Sequence, residues 1–302
     1  MRLQGLLSFP LTPFTPEDKV DLDVFAEHVA RQIEAGPAAL FVACGTGEFT
    51  ALSLPEYRDV VRTAVRVAAG RLPVFAGAGG GPQIARDFAL AAAESGADGL
   101  LLLPPYLVSS TPEGLVRHVR YVAEATPLPL IVYQRNNAVL SPSTAVALLD
   151  LDRVIGIKDG MGDVDAMLRI VVAVRTSGHP RAQEFTFLNG LPTAELSVQA
   201  YRAIGVDSYS SAVLCFAPDI ATAFYRAIGA GDTATIARLL AEFYLPFVAL
   251  RDTMPGYAVA LVKAGARLSG LAVGPVRPPL LDATPEHEAR LADIVARGRA
   301  AL

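Results

Sequence analysis

The rhythm of apolar segments constrains this chain most. Short apolar runs alternate with longer amphipathic stretches over about the first 230 residues, the pattern of strand and helix units repeated around a parallel sheet. Eight runs read as strands: LLSF (6–9), ALFVAC (39–44), PVFAG (73–77), GLLLL (99–103), LIVYQ (130–134), VIGIK (154–158), FTFLN (185–189) and SYSSAV (208–213). They are continuously apolar rather than alternating, as strands covered on both faces must be. Between them, DLDVFAEHVARQIEAG opens on an Asp cap and stops at Gly36, and SLPEYRDVVRTAVRVAAG has Ser53 as cap, Pro55 in its first turn and Gly70 as terminator. Eight such units predict an α/β fold, a closed (β/α)8 TIM barrel. An open doubly wound sheet is the competing arrangement, because the number of units alone does not prove closure.

No strand pattern follows Cys215. APDIATAFYRAIGAGD, TATIARLLAEFYLPFVALRD, MPGYAVALVKAGARLS and TPEHEARLADIVARGRAAL all read as helices separated by Gly and Pro signals. The first completes the eighth unit. The expected organisation is therefore a catalytic barrel over 1–229 and a C-terminal helical appendage over 230–302, with the Pro-rich GPVRPPLLDATP (274–285) as an ordered connector.

Composition narrows the function by exclusion. A 302-residue chain that is 52% hydrophobic supports a large core, and a net charge of −4 with scattered arginines offers no field for a phosphate backbone, so nucleic acid is not an expected partner. No window approaches about eighteen uninterrupted apolar residues, and the opening MRLQGLLSFPLTPF lacks a signal-peptide core; a cytoplasmic protein without membrane contact is expected. Cys44 and Cys215 lie in apolar segments without metal spacing and read as reduced core residues. His28, His118, His179 and His287 lack paired spacing and are expected to be solvated or capping, with no metal site.

Of the three lysines, Lys19, Lys158 and Lys263, one ends the apolar run VIGIKDG. In a barrel the C-terminal ends of the strands face the active-site mouth. Lys158 is either a surface lysine paired with Asp159 or an amine whose pKa is lowered by apolar walls, so that the neutral form attacks a carbonyl. Lysine is seldom buried without cause, which favours the second reading. Tyr133 ends the fifth strand in the same way. An aromatic there is commonplace, but beside a Schiff-base lysine a phenol can carry protons to and from a carbinolamine. The loop CGTGEF (44–49) lets backbone N–H groups approach a carboxylate, with Thr46 able to pass protons to Tyr133, although the same letters also spell a plain strand-to-helix turn. The cluster GAGGG (77–81) lacks a GK[ST] ending and dinucleotide spacing, so turn chemistry is expected there. Ser210 and Ser211 end the eighth strand, as carboxylate ligands or simple caps.

These segments together resemble the dihydrodipicolinate synthase and N-acetylneuraminate lyase superfamily of class I aldolases and dehydratases. The resemblance runs through FPLTPF, GTGEF, SGADGLLLLPPYL, YQRNNAV, GIKDGMGD and YSSAV, and KDGMGD, RNNAV and GLPTAE (190–195) point to its dehydratases of keto diacids. It implies that Lys158 is the Schiff-base lysine, Tyr133 the proton-relay phenol and Thr46 its hydroxyl partner. Gly45, Thr46, Gly190 and Ser210 become carboxylate-binding candidates, and Arg135 an anion partner, since guanidinium grips carboxylate in bidentate fashion. The synthase pattern is broken at Gly45, where a hydroxyl residue is usual, at Leu107 after Tyr106, and at Ala138, where the synthase has arginine. The expected partner is a small keto diacid, no metal or organic cofactor is expected, and the superfamily commonly forms tetramers. A pyruvate-dependent aldolase or synthase, and a catalytically silent binding protein, are the rival readings.

Overall fold

The structure, a computed structural model, describes residues 3–302. Eight strands follow one another in chain order around a closed barrel: β1 (Leu6–Ser8), β2 (Ala39–Val42), β3 (Val74–Gly80), β4 (Gly99–Pro105), β5 (Leu130–Gln134), β6 (Val154–Asp159), β7 (Thr186–Asn189) and β8 (Ser208–Ser211). The helices are α1 (Leu22–Glu34), α2 (Leu54–Ala68), α3 (Pro82–Glu94), α4 (Pro112–Ala123), α5 (Pro142–Ala147), α6 (Val164–Thr176), α7 (Val198–Ala203), α8 (Pro218–Ala230), α9 (Thr233–Leu239), α10 (Leu245–Arg251), α11 (Tyr257–Leu268) and α12 (Pro285–Ala300). The (β/α)8 barrel with C-terminal helices is therefore present, and the doubly wound alternative is not. Two compact units make up the described chain, one from residues 3–5 and 73–210, the other from 6–72 and 211–302.

In the first unit, parallel pairing fixes which side chains are neighbours. β5 and β6 place Tyr133 opposite Lys158 and Gln134 opposite Asp159, and β7 adds Leu188 beside Lys158 and Asn189 beside Asp159. The glycine cluster is a correction. Instead of a turn, Gly77, Ala78 and Gly80 continue β3 and pair with Leu101, Leu102 and Pro105 of β4, with a bulge between Ala78 and Gly80. The reason is packing: a Cβ on Gly79 would lie 2.8 Å from Cβ of Leu103, so the strand approaches its neighbour more closely than a side chain permits.

In the second unit the expected caps are present. Asp21 accepts from the Val24 N–H at 3.0 Å, and Ser53 forms a reciprocal capping box with Glu56. His28 is the second correction. It lies on the buried stripe of α1 with Phe25, Val29, Gln32 and Ile33, and its Nε2 accepts the Leu11 N–H at 3.1 Å. Burial, then the neighbouring Arg31, hold its pKa down at about 3. Of the other histidines, His118 is half-buried, His179 Nδ1 accepts the Arg181 N–H, and His287 Nδ1 shares a 2.9 Å hydrogen bond with the Tyr257 hydroxyl.

The C-terminal segment is helical as expected. Between α9 and α10 the helix widens into a π turn at Leu240–Tyr244, two residues short of Pro246, which has no N–H to offer the carbonyl four residues back. The stretch Thr233–Arg251 is long and apolar enough by length and composition to cross a membrane. Its Ile236, Leu239, Phe243, Tyr244, Phe247 and Leu250 are buried inside the unit, where Phe243 and Phe247 stack 5.9 Å apart and Phe247 lies 5.6 Å from Phe216.

Candidate active site

The β5–β6 register builds the site. Because side chains alternate along a strand, Tyr133 and Lys158 share one face while Gln134 and Asp159 share the other. Lys158 is only 5% exposed and Tyr133 8%, and Nζ of Lys158 lies 4.5 Å from the centroid of the Tyr133 ring. The phenol has two further partners: it donates to the Gly190 carbonyl at 3.1 Å and accepts from Arg135 Nη1 at 3.1 Å. A phenol held between a carbonyl acceptor and a guanidinium donor, against a buried amine, is arranged to move a proton.

Two glycines make room for this pair. A Cβ on Gly160 would lie 2.7 Å from the Tyr133 hydroxyl, and one on Gly190 would lie 2.2 Å from Cε of Lys158. Gly190 follows β7 and is fixed by its N–H, which donates to the Asp159 carbonyl at 2.7 Å.

Asp159 is not an ion-pair partner for Lys158. Its carboxylate is fully buried on the opposite face, where it accepts from Gln134 Nε2 at 2.7 Å, from the Met161 and Gly162 N–H groups at 3.1 and 3.3 Å, and from the Tyr201 hydroxyl of α7. Burial, followed by that bond to Asp159, raises the Tyr201 pKa, so its proton stays in place. The carboxylate ties the GMG turn to β5 and α7 and so fixes the end of the strand that carries Lys158. Sequence reading missed this network, although the alternation of Lys158 and Asp159 along one strand was the signal for it.

Arg135 is partly buried and closes a tight turn through a bridge to Ala138, with Asn136 at a φ of 53°. Asn137 donates from that turn to the Pro105 and Val108 carbonyls and anchors the loop after β4. Ser210 is half-exposed at the end of β8, and its hydroxyl donates to the Asn189 carbonyl at 3.4 Å. The structure thus brings Lys158, Tyr133, Arg135 and Gly190 together.

Gly45 and Thr46 belong to the other unit, in the turn that follows β2, exposed and half-exposed respectively. The turn is closed by Glu48 N–H to the Gly45 carbonyl at 3.1 Å and Phe49 N–H to the Cys44 carbonyl at 3.0 Å, and Thr12 Oγ1 donates to the Gly47 carbonyl at 2.7 Å. Glu48 is left-handed, with φ 54° and ψ 44°. Sequence reading stopped at Thr46, and Glu48 with its partner Lys263 was not foreseen.

The model of the dihydrodipicolinate synthetase family matches residues 2–297. The chain belongs to this family. Among family members, it is 57% identical to the probable 5-dehydro-4-deoxyglucarate dehydratase 1 of Streptomyces coelicolor over 295 residues, 98% of this chain and 93% of that one. The probable 5-dehydro-4-deoxyglucarate dehydratase of Streptomyces griseus is 56% identical over 99% of this chain and 92% of its own. A crystal structure of dihydrodipicolinate synthase from Oceanobacillus iheyensis has the same fold, with a TM-score of 0.89 at 24% identity over 99% of this chain and 97% of that one. A prophage protein of the dihydrodipicolinic acid synthase family from E. coli K12, solved in complex with pyruvate, gives 0.86 at 25% identity over 98% of each chain.

Proposed function

We propose that this protein is a Schiff-base dehydratase that converts 5-dehydro-4-deoxy-D-glucarate to 2,5-dioxopentanoate, carbon dioxide and water. The observation that carries the reading is the buried Lys158 amine against the Tyr133 phenol at adjoining strand ends. Near-full-length identity of 55–57% to proteins named for this reaction supplies the substrate class.

The neutral amine of Lys158 attacks the ketone beside one carboxylate, and Tyr133 moves protons as the carbinolamine loses water to give the iminium. The iminium is an electron sink that acidifies the neighbouring methylene. Loss of that proton gives an enamine, and expulsion of the β-hydroxyl as water leaves an α,β-unsaturated iminium. Its conjugation takes up the electron pair released when the distal carboxylate departs as CO2. Protonation of the resulting dienamine, tautomerisation of the enol to the aldehyde and hydrolysis of the iminium free the product and Lys158.

Arg135 is assigned to a substrate carboxylate, with Gly45, Thr46, Gly190 and Ser210 as further carboxylate contacts and the Thr46 hydroxyl as relay partner. Residues 1–229 form the catalytic barrel in this reading and 230–302 its helical extension. A cytoplasmic location and a homotetramer are part of the same proposal, self-association being supported by the exposed apolar tract Tyr106, Leu107 and Val108 at 69, 81 and 59% exposure. Incubation with the keto diacid and product analysis by NMR and mass spectrometry tests the function. The expected result is 2,5-dioxopentanoate with one CO2 per turnover; recovery of pyruvate and an aldehyde would replace the dehydratase by an aldolase.

A further inference from the structure

Lys263 lies on α11 and is fully buried. Its ammonium meets Oε1 of the equally buried Glu48 at 2.7 Å, donates to the Pro275 carbonyl at 2.6 Å and lies 4.2 Å from the centroid of the Phe14 ring. The other Glu48 oxygen accepts the Arg277 N–H at 3.0 Å. Arg277 covers the same Phe14 ring at 4.1 Å and pairs with Asp18 at 2.7 Å and Glu56 at 2.6 Å. The ion pair is thus enclosed, and the Pro-rich connector is packed over it.

A buried ion pair contributes little net stability, because desolvation of both charges offsets their attraction. Such a pair is better explained by the conformation it specifies. Here that conformation is unfavourable by itself: Glu48 is a non-glycine residue in the left-handed region, which persists only where its surroundings over-determine it. Glu48 is two residues beyond Thr46 in the turn closed by its own N–H onto Gly45. Gly47 between them is closely packed as well: a Cβ there would lie 3.0 Å from the Pro10 carbonyl oxygen.

We propose that the Lys263–Glu48 ion pair is a positioning device for the Gly45–Thr46 segment, reaching from the C-terminal helices to hold that loop in its substrate-binding form. This rests on the assignment of a substrate carboxylate to Gly45 and Thr46 made above. Lys263 and Glu48 act through the loop and touch no reacting atom.

The test compares full-length wild type, Lys263→Met and the neutral double variant Lys263→Met with Glu48→Gln. Three quantities are read: Tm, kcat/KM with the keto diacid, and the pyruvate concentration giving half-maximal borohydride-trapped adduct. Lys263→Met is expected to lower Tm, to reduce kcat/KM about a hundredfold and to raise the half-saturating pyruvate concentration about tenfold. The double variant, which leaves no unpaired buried charge, regains most of the Tm and remains impaired in both other readouts. A double variant restored in Tm, kcat/KM and pyruvate half-saturation together overturns the proposal and makes the pair a matter of stability alone. If Lys263→Met does not fold, the double variant decides by itself. The pyruvate readout does not depend on the natural substrate, so wild type that traps pyruvate without dehydrating the keto diacid refutes the functional reading while still measuring the pair.

Discussion

Gly190→Ala places one methyl group where the site has no room. The new Cβ would lie 2.2 Å from Cε and 2.5 Å from Cγ of Lys158, and 2.9 Å from the Asp159 carbonyl oxygen. Carbon atoms settle at about 3.5 Å, so Cε must retreat by about 1.3 Å. The Asp159 oxygen cannot share that movement, because it belongs to β6 and accepts the Gly190 N–H. Any shift of the Gly190 carbonyl instead also moves the Tyr133 hydroxyl that donates to it. A misplacement of about 1 Å at a reacting group costs on the order of a hundredfold in rate, or about 2.7 kcal/mol of barrier. Overpacking costs about 1–3 kcal/mol in stability, which a barrel of this size tolerates. The assay is kcat/KM with the keto diacid alongside the rate of borohydride-trapped adduct formation with pyruvate, with urea unfolding as the check on folding. A folded Gly190→Ala protein with wild-type rates in both would refute the argument that Gly190 clears space for Lys158.

Further predictions follow from the same geometry. Tyr133→Phe keeps the ring against Lys158 but removes the phenol proposed to carry protons, so kcat is expected to fall by about 10²- to 10⁴-fold while the protein remains folded; an unchanged kcat removes Tyr133 from the relay. Asp159→Asn turns an amide donor towards a ring of donors and is expected to cost about 3 kcal/mol in urea unfolding, a loss below about 1 kcal/mol contradicting the network. His28 links stability to pH. The unfolded chain binds its proton near 6.5, whereas the folded protein refuses it until about 3, so the unfolded state holds more protons between these values and stability falls as pH drops through that window. The full effect is at most about 5 kcal/mol. Glu56, held at about 2 chiefly by its hydrogen bond to Arg277, contributes stability that is present above about 4.5 and lost as pH falls through about 2, so the upper part of the window belongs to His28 together with His118, whose pKa burial also lowers. His28→Gln should make the stability profile shallower between pH 6.5 and 4.5, and an unchanged slope there would rule His28 out as a source of it.

The barrel and the lysine were legible in the sequence because each leaves a local mark. Apolar runs of strand length give the sheet, and a lone lysine closing VIGIKDG is conspicuous in any strand reading. What was misread had no local mark or the wrong one. Gly77, Gly79 and Gly80 have no side chains and Ala78 only a methyl group to show a strand period, so their place in β3 depends on contact with Leu103 of the next strand. His28 was judged by residue type, although its spacing from Phe25 and Gln32 already placed it on the buried stripe. Asp159 was considered only as a neighbour of Lys158 in sequence, while its partners come from β5, the following turn and α7. The Lys263–Glu48 pair joins a loop near the N-terminus to a helix near the C-terminus, a distance over which no periodicity speaks.

The central claim is that Lys158 becomes covalently bonded to the substrate through an imine. Reduction with sodium borohydride in the presence of 5-dehydro-4-deoxy-D-glucarate, followed by intact-mass and peptide analysis, tests it most directly. The account predicts one irreversible adduct per chain, on the peptide containing Lys158, absent in Lys158→Ala, with CO2 evolved in a parallel sample without reductant. Full turnover by Lys158→Ala, or an adduct placed on Lys19 or Lys263, would contradict it.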